Sequence, residues 1–336
     1  MSGGDQRITV LDQLRGVALC GMLFINAAYF AYGAQEAVVV SGKVAGLEAW
    51  SYRAWQILFA GKFVAIFSFL FGAGLQLCVV RAQARQAPWV GSHLRRAALL
   101  YVLGLLHSLV WPSDILRAYA GFAVLLLPML VLSSRWQRRV LILTFLAALC
   151  APMLSAGSVL SFPAGLCFRL LPFVLGIYVA GAGGMKGAGE RMPVFTWHLY
   201  IVVGAIVLLV AGYAGLLVEQ AATAQLERYL RLTSYPLALC YGVCVVKIAA
   251  AIPDSSVGRG LAALGRMSLS NYLSQDSVGV LVIACLGLAP LAYSQVPIVV
   301  VLTLLLQWAF SRAWLRRFRS GPIETLAGGF IHGRRR

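Results

Sequence analysis

The segment GLLHSLVWPSDILR, residues 104–117, sets an imidazole at His107 ahead of a carboxylate at Asp114, with the tight turn WPSD at 111–114 between them. A carboxylate near an imidazole favours the protonated or the correctly oriented ring. A histidine held in this way can serve as a general base. The alternative is a plain helix–helix hydrogen bond. Asp114 also stands three residues before Arg117 on one face, so those two can simply pair. Asn26 adds an amide deep in the first apolar run. There it can stabilise an oxyanion or act as interhelical glue.

A second polar set lies in GRMSLSNYLSQDSVG, residues 265–279. On a helix Asn271 and Gln275 share one face, and Ser268, Tyr272 and Asp276 share another. Such a segment is too polar to face lipid, so it must face a bundle interior. Lys62 and Arg169 are further ionisable residues inside apolar runs, which usually face a cavity or a partner. With Asn271, Tyr272, Gln275 and Asp276 they form the candidate substrate-binding set. Lys62 and Asp276 have a structural alternative as an ion pair. Asp12 and Arg15 stand at the mouth of the first run, close enough to pair or to snorkel. Arg95 and Arg96 set topology or bind phosphate. No metal is expected. The seven cysteines lie in or beside apolar runs without a CxxC pair and read as small core hydrophobes.

The elements that must hold these groups are apolar helices. Of the 336 residues, 60% are hydrophobic and 12% are charged, about half the charged fraction of a soluble domain. Runs near ~20 residues are long enough to span a bilayer. The expected spans are 15–33, 57–80, 96–112, 114–133, 139–156, 163–182, 197–218, 234–252, 267–288 and 290–311. The fold class is therefore all-α, a polytopic membrane bundle of about ten transmembrane helices. Residues 1–336 read as a single integral-membrane domain, and 312–336 as a basic cytoplasmic tail. With both termini in the cytoplasm, the inside segments hold 21 of the 28 Lys and Arg and leave seven elsewhere. That bias satisfies the positive-inside rule. The net charge of +17 sits at the ends of apolar runs rather than on one face with interleaved aromatics, which argues against nucleic acid. The first run has no convincing cleavage site and reads as a retained span. The stretch GAGGMKGAGE at 181–190 lacks the flanking strand and lysine-serine ending of a phosphate loop, and reads as a connector.

Helical rise converts spacing into depth. Asn26 lies roughly 16 Å beyond Arg15 at about 1.5 Å per residue. His107 is eleven residues beyond Arg96, and Asp276 is ten beyond Arg266. Three polar groups from separate spans thus fall in one layer, which suggests an internal cavity.

Five pieces carry a family resemblance. They are RITVLDQLRGVALCGMLFINAAYF at 7–30, FVAIFSFLFGAGLQL at 63–77, HLRRAALLYVLGLLHSLVWPSDILRAYAGF at 93–122, LGRMSLSNYLSQDSV at 264–278 and FRSGPIETL at 318–326. In this order they resemble the YeiB-like family of bacterial inner-membrane proteins. The first span is also similar to that of the transmembrane acyltransferases, the heparan-alpha-glucosaminide acetyltransferases among them. That resemblance implies an acyl group, chiefly acetyl, passing from cytosolic acyl-CoA to a hydroxyl or amine on a sugar, lipid or secondary metabolite. It puts Asn26 in the active site. The histidine of those enzymes follows their first span, whereas residues 27–92 here contain none. Either His107 fills that role from another helix or the chemistry differs. The expected catalytic set is His107, Asn26 and Asp114, with acyl-CoA held by Arg15, Arg95 and Arg96. The expected location is the bacterial inner membrane, and a homodimer is the assembly the wider group suggests. The rival reading is a proton-coupled transporter or flippase of a small metabolite or lipid. A third is a non-catalytic assembly partner.

Overall fold

Long runs of leucine, alanine and valine, punctuated by glycine and proline, give helices and little else. The computed structural model describes residues 9–30, 46–112, 114–151, 154, 159–183, 223–252 and 255–332, and all its regular elements there are helical. In chain order they are α1 (Thr9–Phe30), α2 (Leu47–Phe59), α3 (Lys62–Ala84), α4 (Val90–Ser108), α5 (Leu116–Leu125), α6 (Leu127–Leu130) and α7 (Ser134–Cys150). Then follow α8 (Ser161–Gly181), α9 (Thr223–Ala251), α10 (Ser256–Arg266), α11 (Ser268–Cys285), a 3-10 turn at Tyr293–Gln295, α12 (Val296–Leu315) and α13 (Pro322–His332). The expected span 197–218 and most of the glycine-rich stretch lie outside the described residues.

Four stretches are long and apolar enough to cross a membrane: Thr9–Ala27, Leu47–Ala84, Ser161–Gly181 and Tyr293–Leu315. The other expected spans in the described residues are helical but fall short for physical reasons. Helix α5 has only 10 residues. Helix α7 has 17 and starts with Arg135, Arg138 and Arg139. Helix α11 carries the polar set. The expected span 57–80 is two helices, broken at Gly61, whose φ of 77° is the left-handed region that glycine enters without strain. Helices α10 and α13 have only 11 residues each, too short to register as spanning runs.

The chain packs as two compact units, one comprising 1–66 and 188–321, the other 67–187 and 322–336. In the first, α1 contacts α2, α9, α10, α11 and α12. Its core gathers Leu23, Ala27, Val282, Val296, Val299 and Val300. In the second, α4 packs on α5 and α13, and α7 on α8. There Phe173 meets Phe71, Tyr119 and Phe122 edge-on, at centroid distances of 5.9, 4.8 and 5.3 Å.

Glycines set the closest crossings. Gly16 lies against the Leu261 backbone, and Gly265 lies against the backbone of Asp12, so α1 and α10 touch main chain to main chain. Gly72 and Gly176 make the same reciprocal contact between α3 and α8. Membrane helices associate through such small residues because lipid tails supply no hydrophobic drive between them.

Of the seven cysteines, only Cys240 is buried, and Cys78, Cys150, Cys244 and Cys285 are exposed. The reading of all seven as core residues is corrected. A thiol is apolar enough for an outer helix face as well as for a core.

Candidate functional site

In the second unit, α4 delivers His107 in its last turn, and the chain re-enters helix α5 just after Asp114. His107 Nδ1 lies 3.0 Å from Asp114 Oδ1. The imidazole side chain is 4% exposed and the carboxylate 0%, so water does not compete for the contact. The other carboxylate oxygen accepts the backbone N–H of Arg117 at 3.1 Å, which ties Asp114 to the first turn of α5. Arg117 Nε approaches the same oxygen only to 3.9 Å. Asp114 therefore does two jobs. It accepts a backbone N–H at the start of a helix, where negative charge is favoured, and it addresses the imidazole.

Gly104 makes room for this pair. A Cβ there would stand 2.6 Å from Asp114 Oδ2 and 2.8 Å from Arg117 N. Gly104→Ala is expected to push Asp114 off His107 and to lower any His107-dependent turnover at least tenfold. Helix content by circular dichroism should stay at the wild-type level.

In the first unit, Asn26 Nδ2 donates to Asp276 Oδ1 at 3.0 Å. These two members of the depth layer thus meet across 250 residues of sequence; His107 belongs to the other unit. Asn271, Tyr272, Gln275 and Asp276 are all buried on α11. Asn271 is the hub. Its Nδ2 donates to Leu264 O at 3.1 Å and to Ser311 Oγ at 3.0 Å, while its backbone carbonyl accepts Gln307 Nε2 at 2.7 Å. Gln307 also donates to Ser274 Oγ at 3.2 Å. Among the described residues, the buried Gln275 Nε2 and Thr303 Oγ1 have no hydrogen-bond partner.

Asn271→Leu leaves Leu264 O and Ser311 Oγ short of a donor. In membrane bundles each such bond contributes about 0.6–1.7 kcal/mol. A loss of roughly 1–3 kcal/mol is expected by that count, read as a lower unfolding temperature in detergent. Asn26→Leu breaks one such bond, that to Asp276, and should cost less.

The remaining expected residues are dispersed. Arg15 pairs with Asp12 at 3.1 Å within α1. Lys62 is fully buried, and its Nζ donates to Gln56 O at 3.3 Å. The alternative of a Lys62–Asp276 ion pair is not what forms. Arg95 is exposed and donates to Ile331 O at 2.9 Å, so it holds the end of α13. Arg96 donates to Cys78 Sγ at 3.6 Å and sits 5.8 Å from the centre of the Phe71 ring. Arg169 is exposed on α8.

Thr303, Gln307 and Ser311 went unnoticed in the sequence, although their four-residue spacing in an apolar helix marks a polar stripe. His93, whose Nε2 lies 2.8 Å from Ala123 O, was missed because it precedes the apolar run. Gln76 and Gln137 were also missed; they bond to each other at 3.4 Å and to carbonyls in the second core.

Residues 186–329 match a family described as a protein of unknown function, DUF418. Uncharacterized protein YxaH of Bacillus subtilis (strain 168) is 26% identical, over 96% of this chain and 93% of that protein. An uncharacterized 39.9 kDa protein from the amylase 3' region of Bacillus acidopullulyticus is 27% identical, over 95% and 92%. Uncharacterized protein YeiB of Escherichia coli (strain K12) is 35% identical over 119 residues, which are 34% of this chain and 29% of that protein. The chain is thus similar to YeiB over about a third of its length and to YxaH over nearly all of it. No solved structure matches it. The region 186–329 that matches the family contains α10, α11 and α12, and with them Asn271, Gln275, Asp276 and Gln307. His107 and Asp114 lie before it.

Proposed function

We propose that this YeiB-like chain is a multi-pass protein of the bacterial inner membrane and an acyltransferase. It takes an acyl group, acetyl first of all, from cytosolic acyl-CoA and passes it to a hydroxyl or amine acceptor. About ten spans with both termini in the cytoplasm is the arrangement that the charge bias supports. Exposed apolar side chains support lipid contact. Leu105 and Leu106 on α4, and Leu305, Leu306 and Phe310 on α12, would be a liability in water.

The observation that carries acyl transfer is the buried 3.0 Å contact between His107 Nδ1 and Asp114 Oδ1. With Nδ1–H donating to the carboxylate, Nε2 is the basic nitrogen. That pair takes the proton of the acceptor hydroxyl or amine while its oxygen or nitrogen attacks the thioester carbonyl. Collapse of the tetrahedral intermediate breaks the C–S bond. The thiolate of CoA leaves and recovers the proton from Nε2. Asp114 stabilises the imidazolium in between. Arg96 stands on the same helix as His107, eleven residues or about 16 Å away, a separation an extended CoA arm can bridge with its phosphates on the guanidinium. Arg95 would have to release Ile331 O to join it. Acyl transfer by this route requires the His107–Asp114 pair and not Asn26.

The test is purified protein in detergent with acetyl-CoA, scored for free thiol and for acylated protein or added acceptor. Time-dependent thiol release is expected. A protein that binds no CoA at all overturns the proposal.

One observation favours a second reading, transport of a small polar molecule. Gln275 Nε2 and Thr303 Oγ1 are buried without partners near the Asn26–Asp276 bond, and intramembrane polar groups commonly line substrate or proton routes. Uptake into proteoliposomes, lost in Asp276→Asn, is its test.

A further inference from the structure

Helix α12 changes character at its end. The stretch Tyr293–Leu315 is long and apolar enough to cross a membrane, and the next five residues are RRFRS, 316–320. With Arg312 inside the helix, residues 312–321 hold four arginines and no acid. Helix α10 packs on α12 and adds Arg259 and Arg266, again without an acid. All six cations are arginine rather than lysine. A guanidinium fork grips phosphate through two parallel bonds, whereas an ammonium acts as a point charge.

The turn is braced through its backbone, which leaves the side chains free to point outward. Arg317 N and Phe318 N both donate to Trp314 O at 3.0 Å. Trp314 Nε1 donates to Ser320 O at 2.9 Å. Arg266 Nη2 donates to Arg319 O at 2.8 Å, and the buried Arg266 Nε has no acceptor among the described residues. The floor of the turn thus holds a donor that no protein oxygen satisfies. Arg316, Arg317 and Arg319 are exposed, and none of them joins an ion pair among the described residues.

Part of this charge has a purely structural use. A basic residue in the last turn of a helix offsets its dipole, and Arg312 stands there. That effect fades within one turn, so it does not account for Arg317 and Arg319. Aromatic rings mark the depth. Phe310, Trp314 and Phe318 follow one another at four-residue spacing, with centroids 5.7 and 4.3 Å apart. Phe310 and Phe318 are half exposed. Such rings collect where hydrocarbon gives way to headgroups, and the exposed Leu305 and Leu306 lie on the hydrocarbon side of them. The arginines that follow stand at the level of lipid phosphates.

We propose that the turn 316–320, with Arg266 at its floor, is a docking site for the phosphates of anionic phospholipid in the bilayer around α12. All its residues belong to the unit that lacks His107 and Asp114, so neither outcome of the thiol-release assay bears on it.

The experiment uses the full chain in a non-ionic detergent. Unfolding temperature is followed while phosphatidylglycerol, phosphatidylcholine or inorganic phosphate is titrated. The variants are the triple Arg316→Gln, Arg317→Gln, Arg319→Gln and, as a charge-matched control, the triple Arg135→Gln, Arg138→Gln, Arg139→Gln on α7. Wild type should show a saturable rise with phosphatidylglycerol, at a midpoint at least tenfold below that for phosphatidylcholine, and the rise should shrink as salt is added. A basic residue near an anionic surface contributes about 1 kcal/mol, or roughly fivefold in affinity. The triple at 316–319 should therefore weaken the midpoint roughly a hundredfold, while the α7 control keeps it. The glutamine substitutions leave the backbone acceptors of Trp314 and Arg266 in place, so unfolding without lipid should match wild type. If the triple fails to fold, Arg319→Gln alone carries the test, with a weakening of about fivefold. Equal responses to the two lipids, an equal rise with inorganic phosphate, or the same loss in the α7 control overturns the proposal. So does tight binding of a short RNA with no preference between the lipids.

Discussion

His107→Ala is expected to lower acetyl-CoA-dependent thiol release by a factor of about 10²–10⁴, the usual contribution of a positioned acid–base residue. Helix α4 itself should persist, since His107 lies in its last turn. Asp114→Asn separates orientation from charge. An asparagine side-chain oxygen can still accept from Arg117 N, so that bond can persist. The amide cannot stabilise an imidazolium, and turnover should fall by at least an order of magnitude. Turnover preserved in both variants would remove His107 from the chemistry. Loss of turnover together with loss of the unfolding transition would make the pair a folding element instead.

Gly265→Leu should prevent the first unit from assembling. A Cβ on Gly265 already overlaps the backbone of Asp12, and the reciprocal contact at Gly16 meets the backbone of Leu261. Neither neighbour is a flexible side chain that can turn away. Overpacking typically costs about 1–3 kcal/mol and sometimes more, and here the two helices must separate. Aggregation on size-exclusion chromatography in detergent is the expected readout. Gly121→Ala is the control: nothing lies within 4 Å of a Cβ at that position, and alanine is the better helix former. Wild-type behaviour of Gly265→Leu would mean that α1 and α10 do not cross there.

Much of the architecture could be read before any coordinates because apolar periodicity and polar outliers are strong signals. The segment around Asn271 was too hydrophilic for lipid, and it is buried. Depth counting put Asn26 and Asp276 at one level, and they bond. Other features left no such trace. Helix α10 and α13 are 11 residues each, too short for a hydropathy window. The break at Gly61 hides inside a continuous apolar run. Partner choice was the weakest inference. Spacing says which face a side chain occupies, not what it meets, so Lys62 was matched with Asp276 although it reaches Gln56 O. Arg95 was read for phosphate or topology, and its bond to Ile331 O, 236 residues on, has no local signal.

The two polar contacts differ greatly in when they can exist. His107 and Asp114 are seven residues apart, so that bond can close as soon as one helical hairpin has left the ribosome. Asn26 finds Asp276 only after 250 further residues have been made. At elongation rates of about 5–20 residues per second, this is a wait of roughly 12–50 seconds. Through that interval the nascent first span holds a polar amide with no native acceptor, an expensive group to leave among lipid chains. The first helix of this chain therefore completes its polar contact only when the last third has been made.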